Sequence, residues 1–111
     1  MNNSTIQSLL NLVKKDIREL EINIQWNTER LNIWWSVYIQ HKDYPYAAED
    51  YYRRYRQHKN VISKSKAKIK TLVKNQKELK GLLQSNLMLE SRKRKAQKAV
   101  DEFSKELGGN S

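Results

Sequence analysis

The chain has 111 residues, of which 38% are hydrophobic and 31% are charged, and it carries a formal net charge of +10. This length allows one domain at most, and the lack of cysteine excludes disulfides and thiolate metal sites. Three glycines and a single proline provide little turn material, so we expect few and long secondary-structure elements.

The same composition restricts the partners and the compartment. A basic excess of this size favours nucleic acid, an anionic membrane or an acidic protein as the partner. No apolar run approaches the roughly 18 residues that cross a bilayer, and no signal-peptide pattern is present. We therefore expect a cytoplasmic protein that is not held in a membrane.

The first predicted helix spans about residues 4–42. Ser4 is its predicted N-cap, with Gln7 completing a capping box. Apolar side chains then recur at alternating spacings of three and four residues, which is the pattern of a coiled-coil seam with heptad positions a and d. The seam positions are Ile6, Leu10, Val13, Ile17, Leu20, Ile24, Asn27, Leu31, Trp34 and Tyr38.

A second helix is predicted over about residues 45–83, because the only proline, Pro45, suits the first turn of a helix after a tight turn at 42–45. Since the two helices have equal lengths and a short connection, we predict an antiparallel hairpin. Its second seam consists of Ala48, Tyr51, Tyr55, His58, Ile62, Ser65, Ile69, Leu72, Gln76, Leu79 and Leu83. Asn27 and His58 are predicted to form a polar layer that fixes the register.

A third, shorter helix is predicted over about residues 87–107, after the break signals Gly81 and Gln84-Ser85-Asn86. A continuation of the second helix is the alternative. The predicted fold class is therefore all-α: one domain over residues 1–111, formed by a long, coiled-coil-like antiparallel hairpin with a shorter C-terminal helix. An oligomeric bundle of such hairpins stays open.

The first helix also carries apolar residues outside its seam. A third helix that folds back would cover roughly Leu9, Leu12, Ile22 and Trp26. It would be too short to reach the tip of the hairpin, so we predict an exposed apolar interface there, for self-association or for a protein partner. Its residues are Ile33, Trp35, Val37 and Ile39, and scattered surface apolar residues are the alternative explanation.

Most of the positive charge lies on the second helix, where residues 44–83 contain eleven basic and three acidic side chains. Heptad positions e and b collect six of these cations on one flank, and this set is called the stripe: Arg56, Lys59, Lys66, Lys70, Lys77 and Lys80. Such a stripe can follow a phosphate backbone without reading sequence. A solvated helix face is the alternative.

Two further groups accompany the stripe. Tyr51 and Tyr55 fall on the seam and are predicted to be core, whereas Tyr52 lies on the flank at the tip end of the stripe and Arg53 points outward. A second basic run is a candidate nucleic-acid or localisation patch; it consists of Arg92, Lys93, Arg94 and Lys95.

The sequence carries no motif of catalysis. No glycine-rich phosphate loop or nucleophile motif is present, and His41 and His58 are too far apart in the hairpin to share a metal ion. We therefore predict a protein that is not an enzyme, with no cofactor, metal or small-molecule substrate.

Two functional hypotheses follow. The first is a small basic helical protein that binds nucleic acid, or a nucleic-acid-handling host complex, through the stripe. A phage or mobile-element accessory protein or inhibitor, similar in kind to anti-CRISPR proteins, would fit this class. The alternative is a structural assembly protein that oligomerises through the tryptophan-rich tip of the hairpin.

Overall fold

The computed structural model describes residues 1–109 and consists of two α-helices, α1 (Asn3–Gln40) and α2 (Pro45–Gly109). They pack antiparallel along the length of α1 and form a rod of 100 by 16 by 15 Å. This arrangement confirms the predicted all-helical hairpin.

The ends of the helices nearest the turn and the N-terminus are set by local hydrogen bonds. Asn2, and not Ser4 as predicted, is the N-cap of α1: its side chain accepts a bond of 2.7 Å from the backbone N–H of Thr5. Asparagine caps a helix as well as serine does, so the helix begins earlier. At the other end, the Nδ1–H of His41 donates to the carbonyl of Val37 at 2.8 Å, and Pro45 opens α2 as predicted.

The predicted seam is confirmed at every position of both helices. All of its residues are buried or half-buried, although Ile6, Leu10 and Ala48 are the only hydrophobic residues of the described chain that are buried rather than half-buried. Two helices alone enclose only a narrow stripe of each surface. The two flanks of each helix therefore remain available to solvent and partners.

A polar network interrupts the middle of the seam, where Asn27 is 4% and Ser65 is 5% exposed. His58 Nδ1 donates to Asn27 Oδ1 at 2.8 Å, and Asn27 Nδ2 donates to the carbonyl of Asn23 at 2.8 Å. Asn23 Nδ2 in turn donates to Ser65 Oγ at 3.3 Å. The predicted contact between Asn27 and His58 is confirmed, and the network aligns the two helices because buried polar groups must keep their partners.

The prediction of a separate third helix over residues 87–107 is wrong, because α2 continues through Gly81 and Gln84-Ser85-Asn86 to Gly109. One glycine inside a helix costs only about 1 kcal/mol relative to alanine. Asn86 does not end the helix either. Its backbone is helical, and its side chain donates to the carbonyl of Met1 at 3.2 Å.

Residues 87–109 therefore form a single helical extension from the start of α1, where Asn3 Nδ2 donates to Glu90 Oε1 at 2.9 Å, and every side chain from 87 to 108 is exposed. The extension does not fold back on α1. The residues that it was expected to cover stay in solvent as a result: Leu12, Ile22 and Trp26 are exposed and Leu9 is half-buried.

Candidate nucleic-acid interface

The hairpin has two long sides. The basic side is formed by heptad positions e and b of both helices, and the mixed side by positions g and c. In an antiparallel pair, each flank of one helix lies beside the same flank of the other. Trp35 accordingly packs on Tyr55 along the basic side, with ring centroids 5.0 Å apart, while Asp16 and Lys68 line one cleft on the mixed side.

Over the paired part of the hairpin, residues 3–86, the basic side carries eight cations and two carboxylates. The acidic residues are Glu21 and Glu49. All eight cations are exposed: Lys14 and Arg18 from α1, and the six stripe residues Arg56, Lys59, Lys66, Lys70, Lys77 and Lys80 from α2. The stripe therefore gains two cations from α1 that lie on the same side of the rod.

The stripe cations are also free of carboxylate partners. The ion pairs found within residues 1–109 engage Lys15, Arg53, Arg54 and Arg94, and none of the six stripe residues. From Arg56 to Lys80 the stripe covers about 36 Å of helix. Unpaired charges of one sign over this distance create a continuous positive potential.

The mixed side carries the same kinds of residues without a net charge. Its four cations are Arg30, Arg54, Lys64 and Lys68, and its four carboxylates are Asp16, Glu19, Asp50 and Glu78. Arg54 Nε lies 3.2 Å from a carboxylate oxygen of Asp50. Because this side carries equal numbers of positive and negative charges, their fields largely cancel beyond a Debye length of about 8 Å.

An aromatic cluster closes the tip end of the hairpin. Trp34 stacks on Tyr51 with centroids 5.9 Å apart, and His41 packs on the same tyrosine at 5.3 Å. On the basic side, Trp35 packs on Tyr55. The prediction that Tyr51 and Tyr55 pack against α1 is confirmed, and both tyrosines are half-buried.

Tyr52 occupies the border between this cluster and the stripe. Its ring packs on Tyr38 at 5.3 Å and on Tyr55 at 5.9 Å, yet 41% of its surface is exposed. A shallow cleft beside it is lined also by Arg56 and Lys59. Part of the Tyr52 ring is thus exposed next to the first two cations of the stripe, while the neighbouring Arg53 points outward, 4.0 Å from Glu49.

The predicted apolar interface at the tip does not form one patch. Trp35 and Ile39 belong to the basic side, at positions e and b, whereas Ile33 and Val37 belong to the mixed side, at positions c and g. Ile33, Trp35 and Ile39 are 54, 42 and 50% exposed, and Val37 is half-buried. The seam separates the four residues into two pairs.

The second basic run lies on the extension, beyond the end of the stripe. Its residues point in all directions around α2 and are exposed: Arg92, Lys93, Arg94 and Lys95. A guanidinium nitrogen of Arg94 lies 3.9 Å from Glu90. Because the four side chains encircle the helix, they do not extend the stripe as one surface.

An arginine-covered tryptophan groove on the mixed side was missed by sequence reasoning. The guanidinium carbon of Arg30 lies 3.8 Å from the ring centroid of Trp26, and that of Arg54 lies 4.7 Å from Trp34. These residues, with Ile33, line an open groove of about 370 Å³. The contact between Trp26 and Arg30 could have been predicted from the sequence, because residues four apart lie side by side on a helix.

The contacts in this groove help to decide which side of the hairpin is the candidate nucleic-acid interface. Arginine stacked on a tryptophan face satisfies both groups by a cation–π contact. One face of each of these tryptophans therefore has a cation over it, although Trp26 stays 49% exposed, and the mixed side has no net charge.

Two other kinds of site were sought in the described residues: a metal site and a membrane-spanning helix. Within residues 1–109, no three His, Asp or Glu side chains come together as metal ligands would, and neither helix there has the length and apolarity to span a bilayer. No known protein family, curated protein or solved structure matches this chain.

Proposed function

We propose that this protein binds the phosphate backbone of nucleic acid along its basic side. The observation that carries the proposal is the difference between the two sides: eight cations against two carboxylates on one, and four against four on the other. Phosphate contacts supply most of the affinity of sequence-independent nucleic-acid binding.

The shape of the basic side supports the same proposal. The stripe of about 36 Å is close to one turn of B-form duplex, about 34 Å. Lysine predominates in it, and an ammonium group acts as a point charge that does not select a base or a fixed phosphate geometry. We infer a binder that follows backbone shape and charge, with the partly exposed ring of Tyr52 at its head.

The biological setting that we propose is that of a phage or mobile-element accessory protein. Such a protein could coat nucleic acid, or occupy the nucleic-acid channel of a host complex as an inhibitor does. Binding to a bare DNA duplex would show that nucleic acid alone, without a host protein, is a sufficient partner.

The test is the affinity for a short DNA duplex measured across a salt series. With all six stripe cations on phosphates, the slope of log K against log salt is expected to be about −5. A slope near zero, or no binding at low salt, would exclude a bare DNA duplex as the partner.

A matched pair of triple variants locates the interface. Lys66→Gln with Lys70→Gln and Lys77→Gln removes three stripe cations, and the slope should fall to about −3. Lys64→Gln with Lys68→Gln and Lys74→Gln makes the same change of charge on the same helix away from the stripe, and should keep a slope near −5. Equal slopes for the two variants would mean that only net charge matters.

Assembly through the tip is the second candidate function, favoured by the exposure of Trp35 and Ile39 side by side on the basic side. In this case light scattering should detect an oligomer that Trp35→Ser with Ile39→Ser dissociates. An oligomer unchanged by that variant would exclude the tip as its interface.

A further inference from the structure

The extension, residues 87–109, has an apolar stripe that nothing within residues 1–109 covers. Its positions follow the three- and four-residue spacing of a coiled-coil seam, and all are exposed: Leu89, Lys93, Ala96, Val100, Phe103 and Leu107. Helices in proteins owe most of their stability to packing of an amphipathic face, and this part of α2 is exposed on all sides. We propose that a second copy of the chain covers this stripe, with the two extensions packed antiparallel as a dimer.

One antiparallel register fills every layer of the seam. It places Leu89 opposite Leu107 of the second copy, Ala96 opposite Val100, and Lys93 opposite Phe103. Each layer occurs twice because the dimer is two-fold symmetric. Lys93 suits its layer, since its alkyl chain can lie along the Phe103 ring while the ammonium reaches water.

The charges of the extension favour the same register. Residues 87–98 carry five basic and one acidic side chain, and residues 99–109 carry one basic and three acidic. Antiparallel packing sets the basic half of each copy against the acidic half of the other, whereas parallel packing would align like charges. This complementarity identifies a second copy as the occupant.

One ion pair is specific to the antiparallel dimer. Arg92 and Glu106 flank the seam on the same edge, and the register brings Arg92 of one copy beside Glu106 of the other, twice per dimer. Within one helix the two residues are about 21 Å apart and cannot meet. Neither belongs to an ion pair in the described part of the chain.

The dimer would continue an interface that the hairpin already has. Leu72, Leu79 and Asn86 recur every seven residues on the face of α2 that packs on α1, and the same row continues through Lys93, Val100 and Leu107. The second copy would therefore pack on this face of α2 from the point where α1, which begins at Asn3, no longer covers it. Two hairpins would be joined end to end, independently of whether nucleic acid binds.

Sedimentation equilibrium at low salt with reciprocal charge variants tests the proposal. The wild-type chain should form a dimer. Arg92→Glu or Glu106→Arg alone should raise the dissociation constant about tenfold or more, because each turns two attractions into two repulsions. The combined variant should recover to within about threefold of wild type, because the pairs are restored with exchanged signs.

Lys98→Glu is the matched control, since it makes a similar charge change on the outer face of the extension. It should leave the dissociation constant within about twofold, and circular dichroism should show that the hairpin is intact in every variant. A monomer at all concentrations would overturn the proposal, and it is the result expected if another protein's helix or a membrane covers the stripe. A combined variant no tighter than the single variants would overturn it as well.

Discussion

The basic side and the mixed side flank the same seam, between the same two helices, and yet differ in charge and in how their cations are paired. On the mixed side, arginines lie over tryptophan rings and close to carboxylates. On the basic side, the stripe cations have no carboxylate partners within residues 1–109. A two-helix seam fixes which residues pack together, and leaves each flank free to take a separate role.

The largest expected effect separates the two adjacent tryptophans. Trp34 is half-buried between Tyr51 and Arg54, so Trp34→Ala should lower the free energy of unfolding by about 3 kcal/mol. Trp35 is 42% exposed on the basic side, and Trp35→Ala should cost only about 1.5 kcal/mol. Denaturant unfolding at one chain concentration measures both, and equal losses would mean that the seam position of Trp34 is no better packed than the flank position of Trp35.

A smaller effect should separate Tyr55 of the seam from Tyr52 of the basic side. Tyr55→Ala removes a half-buried seam ring that packs on Trp35 and should cost about 2 kcal/mol of stability. Tyr52→Ala should cost less than about 1 kcal/mol, but should weaken binding of single-stranded DNA by about fivefold to tenfold through lost base stacking. Fluorescence anisotropy with a labelled oligonucleotide tests this, and unchanged affinity would exclude Tyr52 from the interface.

The smallest effect tests whether α2 runs through Gly81 into the extension as one continuous helix. Gly81 lies inside α2, and a Cβ built there meets no atom within 4 Å. Gly81→Ala should therefore raise the free energy of unfolding by about 0.5–1 kcal/mol. If Gly81 ended a helix in a left-handed conformation, alanine would instead destabilise the protein.

The paired part of the molecule could be predicted from the sequence because its signal is periodic. Each seam residue, from Ile6 to Leu83, agrees with a spacing that only a helix pair satisfies. The heptad positions also place the stripe on one flank. The same positions separate Trp35 and Ile39 from Ile33 and Val37, so the division of the apolar interface was readable in the pattern as well.

The extension could not be placed in the same way. Its apolar stripe is equally compatible with a separate helix that folds back and with a helix that continues, and Gly81 permits both at a cost of about 1 kcal/mol. The choice depends on whether α1 offers a complementary surface. Sequence periodicity gives no information on that point, because a pattern shows that a face needs a partner without showing which one.

The claim that one side of the rod binds nucleic acid is tested most directly by the amide and side-chain chemical shifts during titration with a short duplex. Perturbations should follow the stripe, at Arg56, Lys59, Lys66, Lys70, Lys77 and Lys80, and should leave Lys64 and Lys68 on the mixed side nearly unchanged. Equal perturbation of both sides, or perturbation confined to residues 87–109, would contradict this account.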